Sequence, residues 1–153
     1  PKSFFFYRKN CNSKIPKPSD FSAEDSKLTN NLINSFQDLE NDIDERNLNS
    51  YLKKIINFSF ETNKYFNDSE PWNEKKLNIK KMNTILFTTV EQIKNISLLL
   101  NPVIPLSTNI ILDKLNIKNE DRLFKNIFNN KLLNHDLVLK KSEILFKKVE
   151  YDN

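Results

Sequence analysis

The stretch NKYFNDSEPWNEKKLNIKK, residues 63–81, joins two long helical patterns and so decides the fold. Upstream of it, Leu48, Tyr51, Leu52, Ile55, Ile56, Ser59, Phe60, Asn63 and Phe66 recur three and four residues apart, which predicts a helix over about 47–67. That helix must stop near Glu70, because a proline disfavours helical geometry in the residue before it, and Pro71 follows. Downstream, Met82, Ile85, Leu86, Thr89, Val90, Ile93, Ile96, Ser97 and Leu100 predict the longest helix, over roughly 75–100. Two long helices joined by a short corner pack antiparallel, as in an all-α bundle. The corner carries the only tryptophan of the chain, Trp72. A large aromatic normally belongs to an apolar stripe, and this one sits in a polar run instead.

Working outward, the segment 10–22 reads as a connection, since Pro16 and Pro18 fix φ and remove amide donors. Ser22 with Asp25 three positions on forms a capping-box pattern that opens a helix. Leu28, Leu32, Ile33, Phe36, Leu39 and Ile43 continue it as one amphipathic face. Asp38, Glu40, Asp42, Asp44 and Glu45 are expected on the opposite, solvated face. On the other side of the corner, Asn101-Pro102 breaks the long helix and Pro105 can begin a shorter one lined by Ile110, Ile111 and Leu115. Phe4, Phe5, Phe6 and Tyr7 read as core for a truncated first helix, and the tail 118–153 as irregular, with NHDLVLKKSEILFKKVE (134–150) extended. No internal repeat is present. The expectation is an all-α antiparallel bundle of four to five helices, with residues 1–153 forming a single domain.

A chain of 153 residues with 38% hydrophobic and 29% charged residues suits one soluble domain with a substantial core. No apolar run approaches the ~20 residues a bilayer span needs, and no signal peptide opens the chain, so no membrane partner is expected. It starts at Pro1 rather than Met, which suggests a fragment or a processed product. The single cysteine, Cys11, excludes an intramolecular disulfide and suits a reducing compartment. The Asn-x-Ser triplets at Asn57, Asn67 and Asn95 then read as chance in an Asn-rich chain. Zero glycine excludes more than any other count: phosphate-cradling loops, dinucleotide fingerprints and nucleophile elbows all require it. One His and one Cys exclude a zinc site built from those ligands.

The net charge is +4, and its placement is more informative than its size. Lys75, Lys76, Lys80 and Lys81 follow directly on Trp72. Two readings fit that arrangement. The lysines can simply solubilise a helix end while Trp72 plugs a corner of the bundle. Alternatively, lysines attract phosphates while the indole stacks on an unpaired base, as single-stranded RNA requires. Other candidates are weaker. His135 has no partner His or Cys, and Cys11 lacks a local base or cation. Asp42, Asp44 and Glu45 read as a charged helix face, because no glycine-bearing calcium loop surrounds them.

The order KNCNSKIPKP (9–18), NKYFNDSEPW (63–72), TILFTTVEQIKNISLLLNPVIPLSTNIILDKL (84–115) and EILFKKVE (143–150) resembles the C-terminal anticodon-binding helical domain of methionyl-tRNA synthetases, across nearly the whole chain. The resemblance is strongest in the N-[KR]-Y-x4-PW block, in the leucine run ending in x-P-x-x-P, and in the LFKKVE closure. It implies that Trp72, at the corner made by Pro71, stacks on the first base of the CAU anticodon while Asn63 shapes the site. Asn67 stands where the family often has aspartate. The family's Asn-x3-Arg motif is not carried over, since its arginine aligns near Lys2 and its asparagine before the chain begins. Lys75, Lys76, Lys80 and Lys81 are the phosphate-contact candidates. The resemblance further implies a part in methionine–tRNA ligase and so in protein biosynthesis. The expected partners are the tRNA(Met) anticodon loop and the catalytic domain of the same enzyme, in the cytoplasm. No HIGH-like or KMSKS-like signature occurs, and KKMN at 80–83 falls at the start of the predicted long helix. The chain is therefore expected to need no cofactor and to be non-catalytic alone, with ATP used by the catalytic half. The alternative is a helical protein-interaction module. A helix-turn-helix DNA binder is disfavoured, because no basic recognition helix follows a short turn.

Overall fold

The computed structural model describes residues 14–134. The aromatic run at 4–7, Cys11, His135 and the closing EILFKKVE lie outside the described residues. The α-helices are α1 (Ala23–Asn34), α2 (Phe36–Asp44), α3 (Leu48–Asp68), α4 (Pro71–Leu77), α5 (Ile79–Leu100) and α6 (Pro105–Lys114), followed by short 3-10 turns at Asn119–Asp121, Phe124–Phe128 and Asn130–Leu132. Every regular element among the described residues is helical, so the class is all-α as the periodicity predicts.

The centre of the bundle is α5. From Thr84 to Leu99 it is buried on nearly every face, because α1, α3, α4, α6 and the 3-10 turn Phe124–Phe128 all pack on it. Its Leu86, Val90 and Leu98 meet Ile55 and Phe66 of α3 and Leu32 of α1 in one core. Helix ends leave carbonyls without intrahelical donors. One of these at the end of α5, Leu99 O, accepts from the buried Tyr51 hydroxyl at 2.6 Å. Burial of Tyr51 pushes its phenol up to about 12.

The capping box forms as the sequence suggests. Asp25 N donates to Ser22 Oγ at 3.2 Å and Ser22 N donates to Asp25 Oδ2 at 2.7 Å. The connection before it is pinned across the start of α5, where Ser19 N donates to Thr84 Oγ1 at 3.0 Å.

Two expectations change in detail, and the tail gains definition. The single helix expected over 22–43 is divided at Ser35, whose hydroxyl donates to Asn31 O at 2.9 Å. Such back-bonding competes with the helical ladder and bends it. The tail, expected to be irregular, is built of short 3-10 turns over 119–132, while the stretch expected to be extended, 134–150, lies almost wholly outside the described residues. Its 3-10 turns fold back so that the Phe124 and Phe128 rings each lie 4.7 Å from Phe36 of α2. The acidic run is not wholly solvated either: Asp42 is buried, accepting from Ser50 Oγ at 3.1 Å and pairing with Lys54 at 2.6 Å.

The Lys54 hydrogen bond holds the Asp42 carboxyl below its usual 3.8, with Ser50 adding to the effect and burial opposing it. A depressed folded pKa means that the link stabilises the fold above the unfolded value and loses that contribution as pH falls through the folded one. Unfolding titrations taken below about pH 4 are therefore expected to show an acid-dependent loss that Asp42→Asn does not share. Equal pH dependence in both proteins would remove Asp42 from the account.

With no glycine available, left-handed backbone falls on other residues: Arg46 (φ 57°), Glu70 (φ 43°) and Asn116 (φ 54°). After α2, Asn47 N donates to Asp42 O at 2.7 Å and Arg46 N to Ile43 O at 3.0 Å, a complete Schellman closure. After α6, Ile117 N donates to Leu112 O at 2.9 Å and Asn116 N to Asp113 O at 3.1 Å, closing it in the same way.

Candidate nucleic-acid interface

The corner between α3 and α4 follows from Glu70 and Pro71. Glu70 N donates to Asn67 O at 3.3 Å, which is half of a Schellman closure. Pro71 has no amide to make the other half, so the helix cannot continue. The Glu70 carbonyl then accepts from Asn73 N at 2.8 Å and Glu74 N at 3.4 Å, and Pro71 takes the first position of a new helix. Residues 71–77 are thus a helix of their own, and the long helix begins at Ile79 rather than near 75. Between them Asn78 adopts extended geometry (φ −151°) and caps α5 by accepting from Lys81 N at 3.1 Å.

Trp72 lies in the first turn of α4 with 42% of its surface exposed, while Pro71 is buried beneath it. Its ring sits 6.2 Å from buried Phe66 at an interplanar angle of 67°. This edge-to-face contact braces the indole without covering it. Asn63 and Asn67 are both exposed and share one α3 face, being one turn apart. Phe66, one turn on from Asn63, is the α3 residue that meets the Trp72 ring.

Tyr65 of the same block turns the other way. It is buried, and its hydroxyl donates to Asp25 of α1. Burial first, and the neighbouring Asp25 second, push its phenol well above the usual range. The N-x-Y block therefore divides its labour: the tyrosine pins α3 to α1, and the asparagine faces out. Nothing local marks that pin, since its two residues are 40 positions apart.

The four lysines split between two helices. Lys75 and Lys76 occupy the last turn of α4, and Lys80 and Lys81 the first turn of α5, all exposed. Lys81 pairs with Glu74 at 2.6 Å, and that bond raises its pKa. It thereby faces a groove between α1, α3, α4 and α5 that also holds Glu24, Glu61 and Asp68. No cluster of His, Cys, Asp or Glu among the described residues could hold a metal. No helix among them is long and apolar enough to cross a membrane.

This helical-bundle architecture recurs in a tRNA synthetase. A solved structure of free Mycobacterium tuberculosis methionyl-tRNA synthetase superposes with a TM-score of 0.90 at 24% identity, over 99% of this chain and 31% of that one. The chain belongs to a particular family: a model described as the anticodon binding domain of methionyl tRNA ligase matches residues 15–153. The methionine–tRNA ligase of Rickettsia felis is 36% identical over 110 residues, covering 72% of this chain and 22% of the relative. That of Brucella suis is 29% identical over 126 residues, covering 82% and 24%. The chain thus spans about a quarter or less of the length of these relatives.

Proposed function

We propose that this domain reads the CAU anticodon of tRNA(Met) on behalf of a cytoplasmic methionine–tRNA ligase. The observation that carries the reading is the half-exposed Trp72 ring, braced on Phe66 at the Pro71 corner. The indole stacks on the first anticodon base, worth about 1–3 kcal/mol. Asn63 and Asn67 line the same end of α3 and offer amides to base edges. Lys75, Lys76 and Lys80 attract the loop phosphates, with the charge of Lys81 shared with Glu74. Anticodon docking places the distant acceptor end in the catalytic half, so a binding preference becomes a rate preference. ATP and methionine belong to that half, and this domain needs no cofactor or metal. DNA is not a partner.

The test is a titration of the anticodon stem-loop at several salt concentrations. Affinity is expected to fall with salt at about −0.7 in log–log slope for each single-strand phosphate neutralised. It is also expected to drop when the first anticodon base is changed from C to G. Binding indifferent to both changes would replace this reading with a protein-interaction module.

A further inference from the structure

The corner that carries Trp72 hangs from the last turns of α3, and one residue there ties it to both α1 and α5. Tyr65 O accepts from Ser69 N at 2.9 Å, a bond that closes α3 just before the corner. The Tyr65 ring is buried with Leu28 of α1 and Ile85 of α5. Its hydroxyl donates to Asp25 of α1, with the side chains of Thr88 and Ser69 beside it. Asp25 is buried as well, and both of its oxygens are engaged, one by Tyr65 and the other by Ser22 N in the capping box. Phe66, the next residue along α3, is the one whose ring meets Trp72. A single carboxyl group therefore fastens the start of α1 to the end of α3, and the end of α3 supports the indole.

We propose that Tyr65 is a positioning residue for anticodon reading: its hydroxyl, through Asp25, holds the end of α3 so that the Trp72 ring is fixed before the RNA arrives. This rests on the anticodon reading of the Trp72 corner. A side chain that must be ordered on binding costs affinity, and one already ordered does not. Trp72 is half exposed and is braced by the edge of Phe66, so its order depends on how firmly α3 holds Phe66. A second tyrosine on the same helix separates this role from plain stability. Tyr51 is buried too, and its hydroxyl donates to Leu99 O at 2.6 Å. It lies about four turns back, toward the start of α3. Loss of either hydroxyl leaves a buried acceptor without its donor and costs stability. Only Tyr65 lies at the corner.

The experiment compares Tyr65→Phe with Tyr51→Phe in the complete 153-residue chain, at a temperature where both are folded. Each variant loses one buried hydroxyl and keeps its ring. Trp72 is the only tryptophan, so fluorescence reports on the corner directly. Tyr65→Phe is expected to weaken binding of the anticodon stem-loop by about two- to tenfold and to make the Trp72 emission more easily quenched by acrylamide. Tyr51→Phe is expected to change neither. Asp25→Asn, which weakens the acceptor of the same bond, should move both readouts as Tyr65→Phe does, and replaces it if that variant fails to fold. In a Trp72→Ala background, Tyr65→Phe should weaken binding no further, because the hydroxyl acts through the indole. Unchanged binding by Tyr65→Phe, or an equal loss in Tyr51→Phe, overturns the proposal and leaves the tyrosine a structural pin. So does an undiminished effect of Tyr65→Phe when Trp72 is already alanine. If Trp72→Ala by itself still weakens binding in those cases, the anticodon reading stands and only the positioning role falls. If the unaltered chain does not bind the stem-loop, or Trp72→Ala binds it as tightly, both fall.

Discussion

Trp72→Ala, made in an enzyme that includes the catalytic half, is expected to lower kcat/KM for aminoacylation of tRNA(Met) by about five- to a hundredfold, the equivalent of about 1–3 kcal/mol of base stacking. Methionine activation measured without tRNA should not change, because the indole acts only on the tRNA. The structural cost should be small. Pro71 and the Glu70 carbonyl start α4 by themselves, and the indole is only partly covered, by its edge-on contact with Phe66. A melting temperature close to that of the unaltered protein would therefore accompany the lost activity. Trp72→Phe keeps a ring in the same place and should retain most of the rate. If the alanine variant aminoacylates normally, Trp72 is a packing residue and the anticodon is read elsewhere.

The largest effect on stability is expected inside α5. Lys94 is fully buried, with Nζ 2.5 Å from Glu91 Oε1 and 3.0 Å from Asn129 O. Desolvation pushes the Lys94 pKa down and the Glu91 pKa up, and their mutual attraction opposes both shifts. Glu91 Oε2 has no hydrogen-bond partner among the described residues, so the carboxylate depends on Lys94. Removing one member of such a pair strands a buried charge and costs about 3–5 kcal/mol, whereas replacing both by apolar groups is often neutral or stabilising. Lys94→Met is thus expected to lower the melting temperature by roughly 6–20 °C, at about 2–4 °C per kcal/mol for a domain of this size. Glu91→Leu combined with Lys94→Met should recover most of that loss. A single variant as stable as the parent would mean that the pair contributes nothing to the fold.

Periodicity carries the class, the helices α3, α5 and α6 and the capping box at Ser22, because each depends on residues a few positions apart. The break at Ser35 is invisible to an apolar stripe that runs straight through it. The short helix at 71–77 is masked by its own polar composition, which reads as a loop. The burial of Asp42 and Lys94, and the Tyr65–Asp25 pin, are set by chain segments distant in sequence, and a charged residue looks solvated until its partner is placed. At the candidate site, Trp72, Pro71, Asn63 and Asn67 are legible as a motif. The division among the lysines is not, since it depends on the extended geometry at Asn78 that turns Lys81 toward Glu74.

The left-handed corners at Arg46, Glu70 and Asn116 also bear on how much sequence change the domain can tolerate. A side chain bearing a Cβ costs roughly 1–2 kcal/mol in that conformation, and asparagine less than most. Folded domains hold only about 5–15 kcal/mol in total. A glycine-free sequence thus forgoes a sizeable share of its safety margin at its turns, two of which, at Arg46 and Asn116, lie away from the proposed RNA corner. Damage elsewhere brings this chain closer to unfolding than it would with glycine at these corners. Its cheapest route back is a glycine at Arg46, at the far end of α3 from the Trp72 corner.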